Sequence, residues 1–422
     1  MQHFPRLFYA RQKFPSLPQV DCVGSMQSQL ARLLEATSLK GKRIAITAGS
    51  RGIAGFAEIL KGIVGFLQER GAQPFLIPAM GSHGGGTPDG QIALLSSLGV
   101  SAEGMGVPIS CDMKVEQIGE IFSGIPVFFD TKALHCDGVV VFNRIKPHTK
   151  FKAEIESGLM KMMAIGLGRI QGAEILHRAA IHYPFGDLIL KAGQRILSAA
   201  PILCGIATVE DPQKNIAGIT VLPPREFESG ERRILLQAKL LMPRLPFDEI
   251  DILIVDEIGK DISGVGMDPN VTGRNRDTIG TFPHQTFIKR ILVRDLSEKT
   301  QGNAVGIGLA DITTKRAVEK MDRQKTYINC ITALSLEKAS IPMYFENDRR
   351  AFEVALQTIG LVPPEQARVI RIQNTLHITD LLLSEAFLPM MTGRNDMEIL
   401  SEPAKLRLNR AGNFVDPLPF PE

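Results

Sequence analysis

The sequence predicts an α/β fold, built as two α/β domains with largely parallel sheets. Three observations lead there. Short apolar runs alternate with amphipathic helical stretches at the spacing of βαβ units. Each apolar run ends in a glycine-rich or polar loop. A chain of 422 residues, 44% of them hydrophobic, exceeds what one core usually supports.

Residues 42–48 (KRIAITA) read as the first strand, ended by the turn Gly49-Ser50-Arg51-Gly52. A helical pattern follows over residues 53–70. Phe56, Ile59, Leu60, Ile63, Val64 and Leu67 share one face, and Gly71 stands where a left-handed stop belongs. A second strand over residues 73–79 runs into the loop GSHGGG. Thr87-Pro88-Asp89 then has the chemistry of a helix start: a hydroxyl cap, proline at the first position and an acid in the first turn. Gly99 closes that helix. The two strand starts lie roughly 30 residues apart, and right-handed crossover makes such strands parallel. A third strand, residues 137–142 (DGVVVF), is almost uniformly apolar, as expected for burial on both faces. It ends in Asn143-Arg144-Ile145-Lys146-Pro147-His148.

Near Pro246 the pattern resets to a linker, an apolar strand over residues 252–255 and a glycine-rich loop that extends to Asn270. Further strand and helix candidates cover residues 302–310, 313–321 and 351–361. The expected division is a first domain over residues 1–245 and a smaller second one over 246–395. A tail over 396–422 is expected to pack back on the first domain.

Composition excludes several classes. The net charge of +3 comes from 48 basic and 45 acidic residues without a Lys/Arg block, which argues against nucleic acid as a partner. Arg232-Arg233, preceded by Glu231, reads as a solvated helix face. Five dispersed cysteines without C-x-x-C argue against a disulfide framework and a thiolate zinc site. The amino terminus lacks the apolar run of a signal peptide, and no stretch approaches the ~18 apolar residues of a membrane span. A cytoplasmic location with no membrane association is the expectation.

Topology then selects the candidate site. In an open parallel sheet, ligands bind beyond the carboxyl ends of the strands. Arg51, His83 and His148 each follow such an end, in three separate loops. Arginine there suits a carboxylate or phosphate, and two histidines suit proton transfer near neutral pH. Lys161 lies in the apolar, glycine-flanked stretch from Glu156 to Gly168, where lost hydration lowers an ammonium pKa and frees the amine as a nucleophile or anchor. A snorkelling lysine on a helix edge is the alternative reading. His177 and His182 are five apart, not the i, i+4 of a helical metal pair. GLGRIQG has the wrong spacing for a dinucleotide fingerprint, and HGGG occurs without a G-x-S-x-G elbow. Neither H-E-x-x-H nor a P-loop is present.

The loop GSHGGGT after a strand, the PH of IKPH, the SGLMK segment, His177 sixteen positions beyond Lys161 and the turn GSRG together resemble the lactate racemase family. That family uses a nickel-pincer nucleotide. The resemblance covers most of the first domain clearly and the second only loosely. It implies a cofactor tethered covalently to Lys161, with His177 as a metal ligand and Ser157 and Gly158 beside it. The active site then lies in the cleft between the two domains. His83 and His148 are implied as acid/base groups on opposite faces of a 2-hydroxy acid, with Arg51 orienting it. The small-molecule substrate and the cofactor-synthesis enzymes are the implied partners, and the implied activity is an isomerase, a racemase or epimerase. Thr47-Ala48-Gly49 carries no acid before Arg51, no tryptophan is present, and residues 259–270 keep only Gly-Lys-Asp-Ile, which marks a divergent member with a different substrate. A binder of anionic metabolites or nucleotides without catalysis is the competing reading, and a dehydration or net redox outcome of the same hydride step is a third.

Overall fold

A computed structural model describes residues 4–15, 17, 21–50, 52–277, 282 and 286–419. The chain divides into two compact units, Ser16–Met242 and the combination of Met1–Pro15 with Pro243–Glu422. Strand β1 (Arg6–Gln12) therefore does not join the domain that follows it in sequence.

The unit Ser16–Met242 is built on five strands: β2 (Arg43–Ala48), β3 (Gln73–Pro78), β6 (Gly138–Arg144), β7 (Ile202–Glu210) and β8 (Ile216–Leu222). Between β3 and β6 a separate antiparallel hairpin forms from β4 (Val115–Ile121) and β5 (Ile125–Asp130). The sheet order is β3-β2-β6-β7-β8. The first four strands are parallel and β8 returns antiparallel to β7. The expected parallel pairing of the first three strands is observed, with Ile44 opposite both Pro74 and Gly138. Thr47, buried in β2, pins that register: its hydroxyl accepts from Phe142 N at 2.8 Å and faces Phe142 O at 3.3 Å.

Helix Phe56–Glu69 covers one face of this sheet and buries Phe56, Ile59, Leu60, Ile63, Val64, Phe66 and Leu67. It starts three residues later than the pattern suggests because Gly55 holds a left-handed φ of 62°. Helix Pro88–Ser97 has the expected cap, with the Thr87 hydroxyl accepting from Gly90 N at 3.2 Å. Helices Arg169–Ala179 and Phe185–Ala199 pack against the β4–β5 hairpin.

The other unit has a larger mixed sheet. Its strands are β1, β9 (Glu249–Ile258), β10 (Phe287–Leu296), β11 (Ile312–Thr314), β12 (Met343–Phe345), β13 (Val369–Ile372), β14 (Asp380–Ser384), β15 (Met397–Ile399) and β16 (Ala404–Lys405). Strands β12-β11-β10-β9-β13 run parallel, followed by antiparallel β14, β1 and β15, with β16 also on β1. Along β9, Leu253 and Val255 enter one hydrophobic cluster while Ile252 and Ile254 enter another, so both faces are covered. Strands β15 and β16, from the tail expected over 396–422, pair with β1 within this unit. Residues 302–310 hold only the 3₁₀ turn Ile307–Leu309, 313–321 resolve into β11 and helix Lys315–Glu319, and helix Asp348–Gln357 replaces the pattern at 351–361. No helix among the described residues is long and apolar enough to cross a membrane.

Candidate functional site

The carboxyl ends of β2, β3 and β6 lie side by side, and the loops that leave them converge. After β2, Gly49 passes Met162 so closely that a Cβ there would sit 3.1 Å from the methionine methyl. The Ser50 hydroxyl then meets His83 Nδ1 at 2.5 Å, joining the first two loops. Arg51 itself lies outside the described residues. Further along, Ala54 N donates to Glu210 Oε1 at 3.0 Å, and the other Glu210 oxygen pairs with Arg144 at the end of β6.

The β3 loop depends on its glycines. Gly84, Gly85 and Gly86 take left-handed φ values of 64°, 69° and 65° in succession, a run that residues with a Cβ adopt only at a cost. This tight turn leaves His83 exposed at its start. Gln91, fully buried one helical turn further on, donates from Nε2 to Gly81 O at 3.1 Å and His83 O at 3.2 Å.

The β6 loop is held from beneath by an acid. Glu156 is completely buried and accepts from His148 N at 2.7 Å and Ala153 N at 3.3 Å. Lys239 and Lys152 balance its charge at 2.6 and 3.6 Å. Ser157 accepts from Lys146 N at 2.8 Å and donates to Lys146 O at 2.6 Å, so its hydroxyl fixes the loop. Lys150 N donates to His148 Nδ1 at 3.1 Å. In the neutral ring the His148 proton therefore sits on Nε2.

Lys161 ends the short helical turn Leu159–Lys161 and leads into the π turn Met162–Gly166, a geometry often found at functional positions. Its neighbours Leu159, Met160, Met162 and Met163 are buried while Lys161 is half-buried. Gly158 starts the turn at φ 101° and ψ −146°. A Cβ there would lie 2.6 Å from Glu231 Oε1 and 2.7 Å from Ile145. Glu231 turns away from its solvent-facing neighbours Arg232 and Arg233: its side chain is wholly buried and accepts from Met160 N at 3.0 Å. Burial pushes its carboxyl up to about 8, against the pull of the Met160 and Leu159 backbone groups. The helix Phe227–Leu240 buries Phe227, Gly230, Glu231, Ile234, Leu235 and Ala238, a stripe whose spacing would have placed Glu231 inside.

His177 lies on the helix Arg169–Ala179, its ring stacked on Phe185 at 5.1 Å. Phe185 meets Phe151 edge-on at 5.3 Å, and Phe151 packs on His148 at 4.4 Å. Burial lowers the His177 pKa to about 4, helped by the charges of Lys161, Lys150 and His83. That field is wholly cationic. The charges of Lys161, Lys150 and His83 all act on His177, and an aromatic wall connects His177 to His148. His182, by contrast, is exposed beyond the end of the helix.

Among the described residues, no three His, Cys, Asp or Glu side chains gather as a metal-ion site. What these loops offer is one neutral imidazole under the charges of Lys161, Lys150 and His83, and a second histidine, His148, on its aromatic wall. Such a set suits an anionic ligand whose protons move. Sequence reasoning did not find Ser50, Gln91 or the supporting role of Glu156. Buried Arg169 also escaped it. In the other unit, the loop after β9 closes on itself, with Gly259 N donating to Gly266 O at 3.0 Å and Lys260 Nζ to Gly264 O at 2.9 Å.

No family model matches the sequence, and no curated protein matches it. The fold is that of a known α/β class: it is similar to the structure of the lactate racemase apoprotein from Thermoanaerobacterium thermosaccharolyticum. The similarity has a TM-score of 0.52 and covers 92% of this chain and 96% of that one, at 12% sequence identity.

Proposed function

We propose that this protein is an isomerase, a racemase or epimerase that inverts the α-carbon of a 2-hydroxy acid with a nickel-pincer nucleotide as cofactor. The observation that carries the reading is the aromatic wall Phe185–Phe151 that links His177 to His148, with the charges of Lys161 and His83 acting on His177. The donor set fits the cofactor. His177 stays neutral at physiological pH, as a nitrogen ligand to nickel must, and Lys161, whose charge acts on it, is assigned as the amine for covalent attachment. Ser157 and Gly158 shape the turn that would border the nucleotide. The chemistry such a cofactor supplies is reversible hydride transfer at the substrate α-carbon.

The chain's own residues supply the proton steps. His148 Nδ1 is engaged by Lys150 N and His83 Nδ1 by Ser50, so Nε2 of each ring is the atom that exchanges a proton. Two loops place these rings separately, as inversion requires one proton-transfer group per face. Arg51 is assigned the substrate carboxylate, which its fork-shaped guanidinium suits. The surrounding lysines favour an anionic substrate over a neutral one.

The test is racemisation of a panel of 2-hydroxy acids, followed by chiral chromatography, with protein co-expressed with the cofactor-synthesis enzymes. His83→Ala and His148→Ala are each expected to lose about 10²-fold or more. Full activity in both variants overturns the assignment. Binding of anionic metabolites without turnover of any of them would instead support the non-catalytic reading.

A further inference from the structure

Arg169 is among the largest fully buried side chains of the described residues, only 1% exposed. Its backbone sits at φ 53°, in the left-handed region. That conformation costs an L-residue about 1–2 kcal/mol, and glycine would adopt it without strain. Something the side chain does must therefore account for arginine at this position. The guanidinium bonds Asp130 Oδ2 through Nε at 2.7 Å, and one terminal nitrogen approaches the same oxygen at 2.6 Å. Its other terminal nitrogen donates to Pro78 O at 2.5 Å, at the end of β3, and to Gln91 Oε1 at 3.0 Å.

The last bond has a directional consequence. A guanidinium only donates, so Gln91 must turn its carbonyl oxygen toward Arg169. The amide nitrogen is then aimed at Gly81 O and His83 O, the two carbonyls it holds. Arg169 also opens the helix that carries His177. One side chain thus joins that helix, the end of β3 and the His83 loop. A buried Arg–Asp pair adds little net stability over apolar packing, but it can select one arrangement of its neighbours.

We propose that Arg169, acting through Gln91, is the positioning residue that fixes His83 relative to the helix bearing His177. The functional meaning rests on the reading of His83 as a proton-transfer group, whereas the geometry can be tested without it. Gln91→Glu keeps an acceptor for Arg169 but presents no donor to Gly81 O and His83 O. Arg169→Lys keeps the charge and loses the fork.

The direct measurement is the ¹⁵N spectrum of the histidine side chains in the unloaded protein, where the His83 Nδ1 resonance reports its contact with Ser50. Both variants are expected to move that resonance and leave His148 unchanged. In the loaded protein, kcat is expected to fall on the order of 10–100-fold with KM altered less than about threefold, since misplacement acts on the chemical step. Folded variants with wild-type His83 resonances overturn the proposal. Should a variant not fold, the unmodified chain decides: the Gln91 side-chain protons are expected to exchange with solvent far more slowly than those of an exposed glutamine, and equal exchange refutes the clamp. An absence of racemase activity together with shifted His83 resonances would separate the two claims, removing the reaction while leaving the positioning intact.

Discussion

Glu231→Gln isolates the effect of a carboxyl placed beneath the Lys161 turn. The native side chain is buried, one oxygen accepts from Met160 N at 3.0 Å, and Oε1 has no hydrogen-bond partner among the described residues. Burial raises its pKa from 4.5 to about 8. The folded protein therefore retains a proton that the unfolded chain releases. Its contribution to stability is fully present below pH 4.5 and is lost as pH rises through about 8. At 1.36 kcal/mol per pKa unit, the loss is on the order of 3–5 kcal/mol. Glutamine keeps the shape of the neutral acid and does not titrate. The variant should stay within about 1 kcal/mol of the parent at pH 5 and gain on it by several kcal/mol at pH 9. Urea unfolding of both proteins at pH 5, 7 and 9 measures this difference, in which the titration of all other groups cancels. Parallel pH dependence of the two proteins would show that the Glu231 carboxyl binds its proton no more tightly in the folded chain than in the unfolded one.

His177 carries the opposite sign: its pKa falls from 6.5 to about 4, so its contribution is present above pH 6.5 and is lost as pH falls toward 4. His177→Phe should flatten the acid limb of a melting-temperature profile over that window, and an unchanged limb would count against the neutral imidazole. Gly158→Ala forces a Cβ to within 2.6 Å of Glu231 Oε1 at a φ of 101°. Calorimetry should show a loss of at least ~2 kcal/mol. Glu156→Ala leaves Lys152 and Lys239 without their buried acid and frees His148 N. It should cost about 3–5 kcal/mol and open the loop around His148 to limited proteolysis.

The parallel pairing of residues 42–48, 73–79 and 137–142 was legible, and with it the convergence of the loops that carry Ser50, His83 and His148 on one edge. The supporting residues carried no such signal. Arg169 sits in a left-handed turn that no local pattern announces, and Gln91 looks like an ordinary polar residue in a short helix. Glu231 went unnoticed because the adjoining Arg232-Arg233 faces solvent, although spacing from Phe227 to Ala238 points inward. The fold departs from expectation where contacts are long-range. Strand β1 pairs with β14, in the register Leu7 to Ser384, and nothing local in residues 6–12 names so distant a partner. The β4–β5 hairpin escaped notice because its strands are only partly buried and alternate weakly.

Intact-protein mass spectrometry with nickel analysis, after co-expression with the cofactor-synthesis enzymes, tests whether Lys161 and His177 together hold a nickel-containing nucleotide, as proposed. The expected result is a mass increment that maps to Lys161 and about one nickel per chain, both lost in Lys161→Ala. An unmodified Lys161 and nickel-free protein under those conditions would contradict it.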